Sequence, residues 1–195
     1  MKNIYTKITF HIRYILKNQN PAKIIWAYFL LLTKINNLVI IKKSHYKLYF
    51  SKNVLALNNY LDKTSRNIEE RLIINLLQEN SIYIDIGANI GTTSLAANAV
   101  FKEISIHSFE ANPTTFKILQ SNIRLNKAEN IITYSLALGS VNGFVKFENK
   151  GTDDQNSVSN DNDTNNTIKV EIKKLDDLIK HTEIRLIKID FEGFE

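Results

Sequence analysis

The chain has 195 residues, a hydrophobic fraction of 44% and no cysteine. This length and composition predict one domain with a hydrophobic core, and the lack of cysteine excludes a disulfide framework, a cysteine-based zinc site and a cysteine nucleophile. The net charge of +5 is uneven, because residues 1–61 hold ten Lys or Arg and no acid, whereas residues 62–195 hold 15 basic and 20 acidic groups. Since the larger part is acidic, we expect no nucleic-acid partner.

The N-terminal segment, residues 1–43, is basic and apolar at once, and we expect it to be an extension of the domain formed by residues 44–195. Its apolar run over residues 24–32 is too short to span a bilayer, which takes about 20 residues. Charges recur through Lys17 and Lys23, and no small-residue cleavage site follows, so a secretory signal is disfavoured. We expect a cytoplasmic protein.

Two interpretations of the run over residues 24–32 remain open. One is a helix on an anionic membrane surface, with Trp26, Tyr28 and Phe29 at the headgroups and lysines in water. The other is a helix that packs on its own domain or on a partner. The irregular spacing of lysines around the run favours the second interpretation, and the first makes the protein membrane-peripheral.

Two short strands are predicted over residues 38–41 and 46–50, followed by a helix over residues 60–80. Apolar residues recur in this helix at helical spacing and predict a buried stripe. Its members are Ile68, Leu72, Ile73, Leu76 and Leu77. The helix is therefore expected to cover one face of a sheet.

A strand, a glycine loop and a helix then follow one another over residues 82–101. The strand is a β-branched apolar run over residues 82–86, and Gly87 and Gly91 bracket the loop. This order places backbone N–H groups and the positive end of a helix where a nucleotide-like ligand can bind. Asp85, at the carboxyl end of the strand, can accept hydrogen bonds from that ligand or hold the loop.

Strands and helices alternate along the rest of the chain, which predicts an α/β fold with a mostly parallel, doubly wound sheet. Residues 149–166 interrupt the alternation as a polar surface loop, in which calcium binding is disfavoured because the glycine of a calcium loop is missing. The predicted strands cover residues 104–109, 131–138, 168–172 and 184–189, and the last of these is expected to be buried. Residues 141–147 are predicted to form a turn that leads into a short additional strand, and the predicted helices cover residues 113–126 and 175–181.

The glycine loop departs from the dinucleotide motif Gly-x-Gly-x-x-Gly. Asn89 stands in place of the middle glycine, and the last glycine comes one residue early, so an NAD-dependent oxidoreductase is disfavoured. A cofactor without phosphates, such as S-adenosylmethionine, needs no phosphate cradle but does need an acid for its ribose hydroxyls. Glu110 lies 23 residues after Gly87, at the end of the next strand, and its carboxylate is suited to accept hydrogen bonds from both ribose hydroxyls.

Five motifs carry a family resemblance that runs from about residue 60 to residue 195. They are Tyr-Ile-Asp-Ile-Gly-Ala-Asn-Ile-Gly-Thr-Thr-Ser-Leu at 83–95, Phe-Glu-Ala-Asn-Pro at 109–113, Ala-Leu-Gly-Ser at 137–140, Leu-Asp-Asp-Leu at 175–178 and Ile-Lys-Ile-Asp-Phe-Glu-Gly-Phe-Glu at 187–195. In these motifs the chain resembles the FkbM family of S-adenosylmethionine-dependent methyltransferases. The resemblance implies a Rossmann-like class I methyltransferase fold and methyl transfer to a hydroxyl of a sugar, a polysaccharide or a hydroxylated natural product.

The same resemblance implies which residues bind the cofactor. Those expected are Asp85, Gly87, Ala88, Asn89, Gly91, Glu110 and Asn112. The loop residues would line the methionine part, and Glu110 would hold the ribose. The family's domain usually continues past the position of Glu195, so we expect the last strands to be missing. A non-catalytic, methyltransferase-like binding module is therefore the alternative to an enzyme.

Asp190 and Glu192 follow the last predicted strand and are the candidates for catalysis. Acids at the carboxyl end of a strand lie where chemistry occurs in an open α/β sheet. Either acid can take the acceptor proton or orient the acceptor hydroxyl, and positioning can carry much of the rate. Holding a divalent cation is the alternative role, and no metal site is assigned. The expected partner is a hydroxylated small molecule or glycan acceptor.

Overall fold

Four parallel strands form the central sheet, in the order β5-β4-β3-β9. The computed structural model describes residues 20–33, 38–64, 67–148, 167–180 and 183–190. The strands are β1 (Ile40–Lys42), β2 (Lys47–Tyr49), β3 (Ile82–Ile86), β4 (Ser105–Phe109), β5 (Ile131–Tyr134), β6 (Ala137–Leu138), β7 (Gly143–Glu148), β8 (Thr167–Lys173) and β9 (Ile184–Ile189). The predicted α/β class with a mostly parallel sheet is therefore confirmed.

Helices connect the parallel strands, as parallel neighbours require. They are α1 (Pro21–Leu32), α2 (Val54–Leu61), α3 (Asn67–Leu76), α4 (Thr92–Val100), α5 (Pro113–Asn126) and α6 (Leu175–Leu178). Helix α4 joins β3 to β4, and α5 joins β4 to β5. Asn112 fixes the start of α5, because its side chain accepts hydrogen bonds from the N–H groups of Thr114 and Thr115 while Pro113 occupies the first position.

Two smaller sheets flank the central one. Strands β1 and β2 form an antiparallel pair, and β8 pairs in parallel with β6 and antiparallel with β7. The first pair is anchored to α5, since the N–H of Tyr49 donates to Asn122 Oδ1 at 2.8 Å. Side chains of β3 alternate between two cores, Tyr83 in one and Ile84 and Ile86 in the other, so the sheet is covered on both faces at β3.

The structure corrects the extent of two predicted elements. The strand predicted over residues 131–138 is interrupted at Ser135 and Leu136, so that β5 joins the central sheet and β6 joins a different one. The helix predicted over residues 60–80 is divided, because α2 ends at Leu61 and α3 begins at Asn67. The helix predicted over residues 175–181 is the single turn α6.

The buried stripe predicted over residues 60–80 was wrong at three of its five positions, whereas Ile73 and Leu77 are buried as predicted. Ile68, Leu72 and Leu76 are 87%, 59% and 44% exposed, whereas Glu70 is only 8% exposed and Ile73 is buried. Helical spacing alone does not determine which face of a helix is buried. Here the face that carries Glu70 is buried, because the Glu70 carboxylate pairs with Tyr46 and Lys43. The last strand likewise departs from the buried strand expected, because alternate residues of β9 are exposed.

The predicted boundary between residues 43 and 44 falls inside the β1–β2 hairpin. Helix α1 packs on the same core as this hairpin through Ala27 and Leu30, next to Ile41 and Leu48. The division into an extension and a domain stays a prediction. Among the described residues, no helix is long and apolar enough to cross a membrane.

A buried polar network joins the N-terminal elements to α3. Tyr46 donates its hydroxyl to Glu70 Oε1 at 2.7 Å, and Lys43 Nζ lies 3.4 Å from the same oxygen. Lys43 also donates to Asn59 Oδ1 and Asn67 Oδ1, at 2.9 and 3.2 Å. Burial, and then the nearby Glu70 carboxylate, raise the pKa of Tyr46, so the hydroxyl remains a donor. The network thus gives the Lys43 ammonium, 1% exposed, the partners that a buried charge needs.

Glu70→Ala is expected to lower the free energy of unfolding by about 3 kcal/mol, because it leaves the buried Lys43 ammonium and the Tyr46 hydroxyl without their carboxylate. Urea denaturation measures the loss. Glu129→Ala removes an exposed acid as the matched control, and its expected change is within about 0.5 kcal/mol. Similar small losses in both variants would contradict a stabilising role for the network.

Candidate functional site

The glycine loop leaves β3 at the carboxyl edge of the central sheet and is fixed there by backbone hydrogen bonds. The N–H groups of Gly87 and Ala88 both donate to the carbonyl oxygen of Phe109, at 3.0 and 2.9 Å. Gly87 has a φ of +73°, and a Cβ at this position would overlap the carbonyl oxygen of Asp190. Gly91 has a φ of +89° and precedes α4. The two glycines therefore permit a turn that other residues resist.

Asp85 lies beneath the first turn of α4 and is fully buried. Its Oδ2 accepts hydrogen bonds from the hydroxyls of Thr93, at 2.7 Å, and of Ser94, at 2.5 Å. Its Oδ1 lies 3.2 Å from Lys188 Nζ. Of the two roles predicted for Asp85, these contacts correspond to holding the loop, and a contact of its side chain with a cofactor stays a prediction.

Lys188, on β9, connects three parts of the site. Besides Asp85, its ammonium group donates to the carbonyl oxygen of Gly87 at 3.3 Å and lies 3.6 Å from Asp190 Oδ2. Burial by itself lowers the pKa of Lys188, but the carboxylates of Asp85 and Asp190 outweigh it, and the pKa is raised. The lysine is therefore a persistent cation that holds the loop against the end of β9.

The carboxylate of Glu110 joins the glycine loop to the start of α5. Its Oε2 accepts a hydrogen bond from the N–H of Asn89 at 2.9 Å, and its Oε1 accepts one from the N–H of Asn112 at 2.8 Å. Asn89 has a φ of 51°, a left-handed conformation that asparagine tolerates better than most residues. The structure thus brings together three of the predicted cofactor residues where the ends of β3 and β4 meet.

Two buried asparagines hold the loop from the N-terminal side and from α5. Asn53, 2% exposed, donates to Asn89 Oδ1 at 3.0 Å. Asn122 donates to the carbonyl oxygen of Ile90 at 2.9 Å and also anchors Tyr49 through its Oδ1. Elements that precede β3 in the chain therefore help to shape the loop.

A cleft of about 260 Å³, open to solvent, lies beside the loop. Four predicted site residues line it: Gly87, Ala88, Asn89 and Asp190. Leu55, Glu69 and Lys188 line it too. The Asp190 side chain is 52% exposed, so its carboxylate is accessible to a ligand. Glu192 lies outside the described residues. Among those described, no group of His, Cys, Asp or Glu is arranged to hold a metal ion.

Lys188 and Asn53 were not assigned from the sequence. A signal for Lys188 was present, because a lysine inside an apolar strand, two residues before a strand-end acid, lies on the same face as that acid. Asn53 had no comparable signal, because it precedes its partner Asn89 by 36 residues and belongs to a different element. Its role depends on how the N-terminal elements pack.

A family model described as "Methyltransferase FkbM domain" matches residues 85–195, which is more than half of the chain. Methyltransferase 1 of Beauveria bassiana is 21% identical over 140 residues, which cover 60% of this chain and 56% of that protein. The tRNA (guanine(37)-N(1))-methyltransferase of Plasmodium knowlesi is 30% identical over 101 residues, which cover 52% of this chain and 14% of that protein. The chain thus spans about half the length of the first of these relatives, and less of the second.

A solved structure with which the chain can be superposed is that of M. jannaschii TYW2 in complex with AdoMet. The sequence identity is 25%, the TM-score is 0.38, and the match covers 50% of this chain and 42% of that one.

Lys188→Met is expected to lower the free energy of unfolding by about 3 kcal/mol, because the buried Asp85 carboxylate loses its cation. Since the pKa of Lys188 is raised above 10.5, the stabilisation is fully present below that value and is lost only as the pH rises through the higher folded-state value. The loss should therefore be equal at about pH 6 and pH 9 in urea denaturation. Lys117→Met, at an exposed lysine, is the control. A loss confined to one of the two pH values would contradict the assignment.

Proposed function

Because the chain belongs to the FkbM methyltransferase family, we propose that it is an S-adenosylmethionine-dependent O-methyltransferase. The proposed acceptor is a hydroxyl of a sugar, a polysaccharide or a hydroxylated natural product. The resemblance predicted from the motifs is confirmed by the family match over residues 85–195. Because the chain spans only part of its curated relatives, the activity of the whole protein, its cytoplasmic location and its acceptor are all part of the proposal.

The observation that carries the proposal is the contact between the glycine loop and Glu110, with the N–H of Asn89 2.9 Å from Glu110 Oε2. Two ribose hydroxyls donate hydrogen bonds, and a carboxylate at the end of the strand next to the loop suits both donors. A dinucleotide fits less well, because Asn89 occupies the position where a pyrophosphate needs a glycine. The residues present therefore favour S-adenosylmethionine.

S-adenosylmethionine, when bound, supplies an activated methyl group on a sulfonium. The protein then has to align the acceptor hydroxyl and accept its proton. Asp190 is suited to both tasks, because its carboxylate lines the cleft and is held by the Lys188 ammonium at 3.6 Å. Alignment is the larger task, since the leaving group is already good and the proton leaves late. Glu192 is the second candidate for the same role.

A nucleic-acid acceptor is the second candidate function. The relative from Plasmodium knowlesi is by its name a tRNA methyltransferase, which bears against our expectation that no nucleic acid is bound. The net negative charge of residues 62–195 favours a sugar, a polysaccharide or a hydroxylated natural product as the acceptor, because nucleic acid is a polyanion and is repelled by negative charge. The acceptor assay below includes both classes.

The intact protein is expected to bind S-adenosylhomocysteine in isothermal titration calorimetry, and Glu110→Ala should weaken the affinity by about tenfold or more. The physical reason is the loss of the charged acceptor for the ribose hydroxyls. Glu129→Ala is the matched control and should bind like the unchanged protein. Urea denaturation of Glu110→Ala separates a lost cofactor contact from a loosened loop, because Glu110 also holds Asn89.

Absence of binding by the intact, folded protein would remove the cofactor assignment. A fluorescence titration with a nicotinamide dinucleotide then tests the oxidoreductase alternative.

Asp190→Asn is expected to lower turnover by about 10²- to 10⁴-fold with the affinity for S-adenosylhomocysteine unchanged. Release of S-adenosylhomocysteine is measured with glycans, hydroxylated small molecules and tRNA as acceptors. Asp176→Asn, at an exposed acid on α6, is the control. Binding of the cofactor without methylation of any acceptor would favour the non-catalytic module, and methylation of tRNA alone would replace the hydroxyl acceptor.

A further inference from the structure

Helix α1 is apolar on two opposite faces. Its inner face is buried through Ile24, Ala27 and Leu30. On the other side, Ile25, Phe29 and Leu32 follow one another at intervals of four and three residues, which places them in one row. They are 59%, 47% and 86% exposed, and Trp26 beside them is 51% exposed. We call Ile25, Trp26, Phe29 and Leu32 the outer face of α1.

The outer face carries no charge. The one charged residue of α1 is Lys23, and it points away from this face, because its Nζ donates to the carbonyl oxygen of Leu61 at 2.9 Å and lies 5.4 Å from the centre of the Tyr60 ring. Trp26 and Phe29 stack on each other with ring centroids 5.1 Å apart. A helix that is hydrophobic on all sides is normally buried on all sides, by protein or by lipid. A contiguous exposed apolar patch marks an interaction surface.

The charge of residues 1–61 indicates what covers the outer face. Residues 1–61 contain ten Lys or Arg and no Asp or Glu. Of these, Lys42, Lys47 and Lys52 are exposed in the structure. A second copy of the chain would bring this basic region against itself, and the two regions would repel. An anionic membrane has negatively charged headgroups above an apolar interior. It therefore matches both the apolar outer face and the excess of basic residues.

We propose that the outer face of α1 docks on an anionic membrane surface, with Trp26 and Phe29 at the level of the headgroups and the basic residues of 1–61 attracting the protein to that surface. The helix lies in the plane of the surface, since its 12 residues are too few to cross a bilayer. The inner face meanwhile stays packed on the protein core. The two interpretations of residues 24–32 from the sequence then both apply. The outer face binds the membrane surface, and the inner face packs on the protein's own domain.

The intact chain contains its own reporter, because Trp26 is its single tryptophan. With vesicles of phosphatidylcholine and phosphatidylglycerol, the fluorescence of Trp26 should shift to shorter wavelength and the protein should sediment with the vesicles. With vesicles of phosphatidylcholine alone, binding should be at least tenfold weaker. Raising the salt concentration from about 0.05 M to about 0.5 M should also weaken binding, because it screens the headgroup charge.

The double variant Ile25→Asp, Leu32→Asp keeps the tryptophan and should reduce partitioning into anionic vesicles by about tenfold or more. The double variant Ile68→Asp, Leu72→Asp is the matched control, since it places the same two charges on other apolar side chains, 87% and 59% exposed, and should bind like the unchanged protein. Urea denaturation checks that both variants are folded.

Equal binding by the Ile25→Asp, Leu32→Asp variant and the control would overturn the proposal, as would no binding by the intact chain. A fluorescence shift that depends on protein concentration without vesicles would assign the outer face to a second copy of the chain.

Discussion

The buried ion pair between Asp85 and Lys188 is the interaction on which the candidate site depends. It joins β3 to β9 across 103 residues of chain, and the Thr93 and Ser94 hydroxyls add α4 to the same carboxylate. A buried carboxylate is costly without such partners, so β3, α4 and β9 have to keep one arrangement. The glycine loop connects β3 to α4 and takes its shape from all three elements.

Polar contacts from several directions then complete the loop. Glu110 holds it from β4, Asn122 from α5 and Asn53 from the segment before α2. Asn53 lies outside residues 85–195, which the family model matches. The N-terminal elements of this chain therefore contribute to the same site. A loop held by Glu110, Asn122 and Asn53 is preorganised, which lowers the cost of ordering it when a ligand binds.

The N-terminal region combines two kinds of surface. Lys43 is held inside by Glu70 and by the side-chain oxygens of Asn59 and Asn67, so this lysine is a structural residue and not part of a basic surface. The outer face of α1, by contrast, is apolar and exposed. Among the described basic residues of this region, the side chain of Lys43 is therefore buried whereas Lys42, Lys47 and Lys52 are exposed, and only the exposed ones are available to a partner.

The sequence alone is sufficient to predict the alternation of strands and helices after residue 81, the glycine loop after β3 and the position of Glu110 after β4. Each of these depends on patterns within a few residues, such as β-branched runs, glycine spacing and an acid at a strand end. Only the tertiary structure decided which side of α3 is buried, where residues 131–138 divide between two sheets, and that Lys188 holds Asp85. These features depend on contacts between side chains that are far apart in the sequence. The partner of a buried charge is therefore set by how the elements pack, which local sequence patterns do not specify.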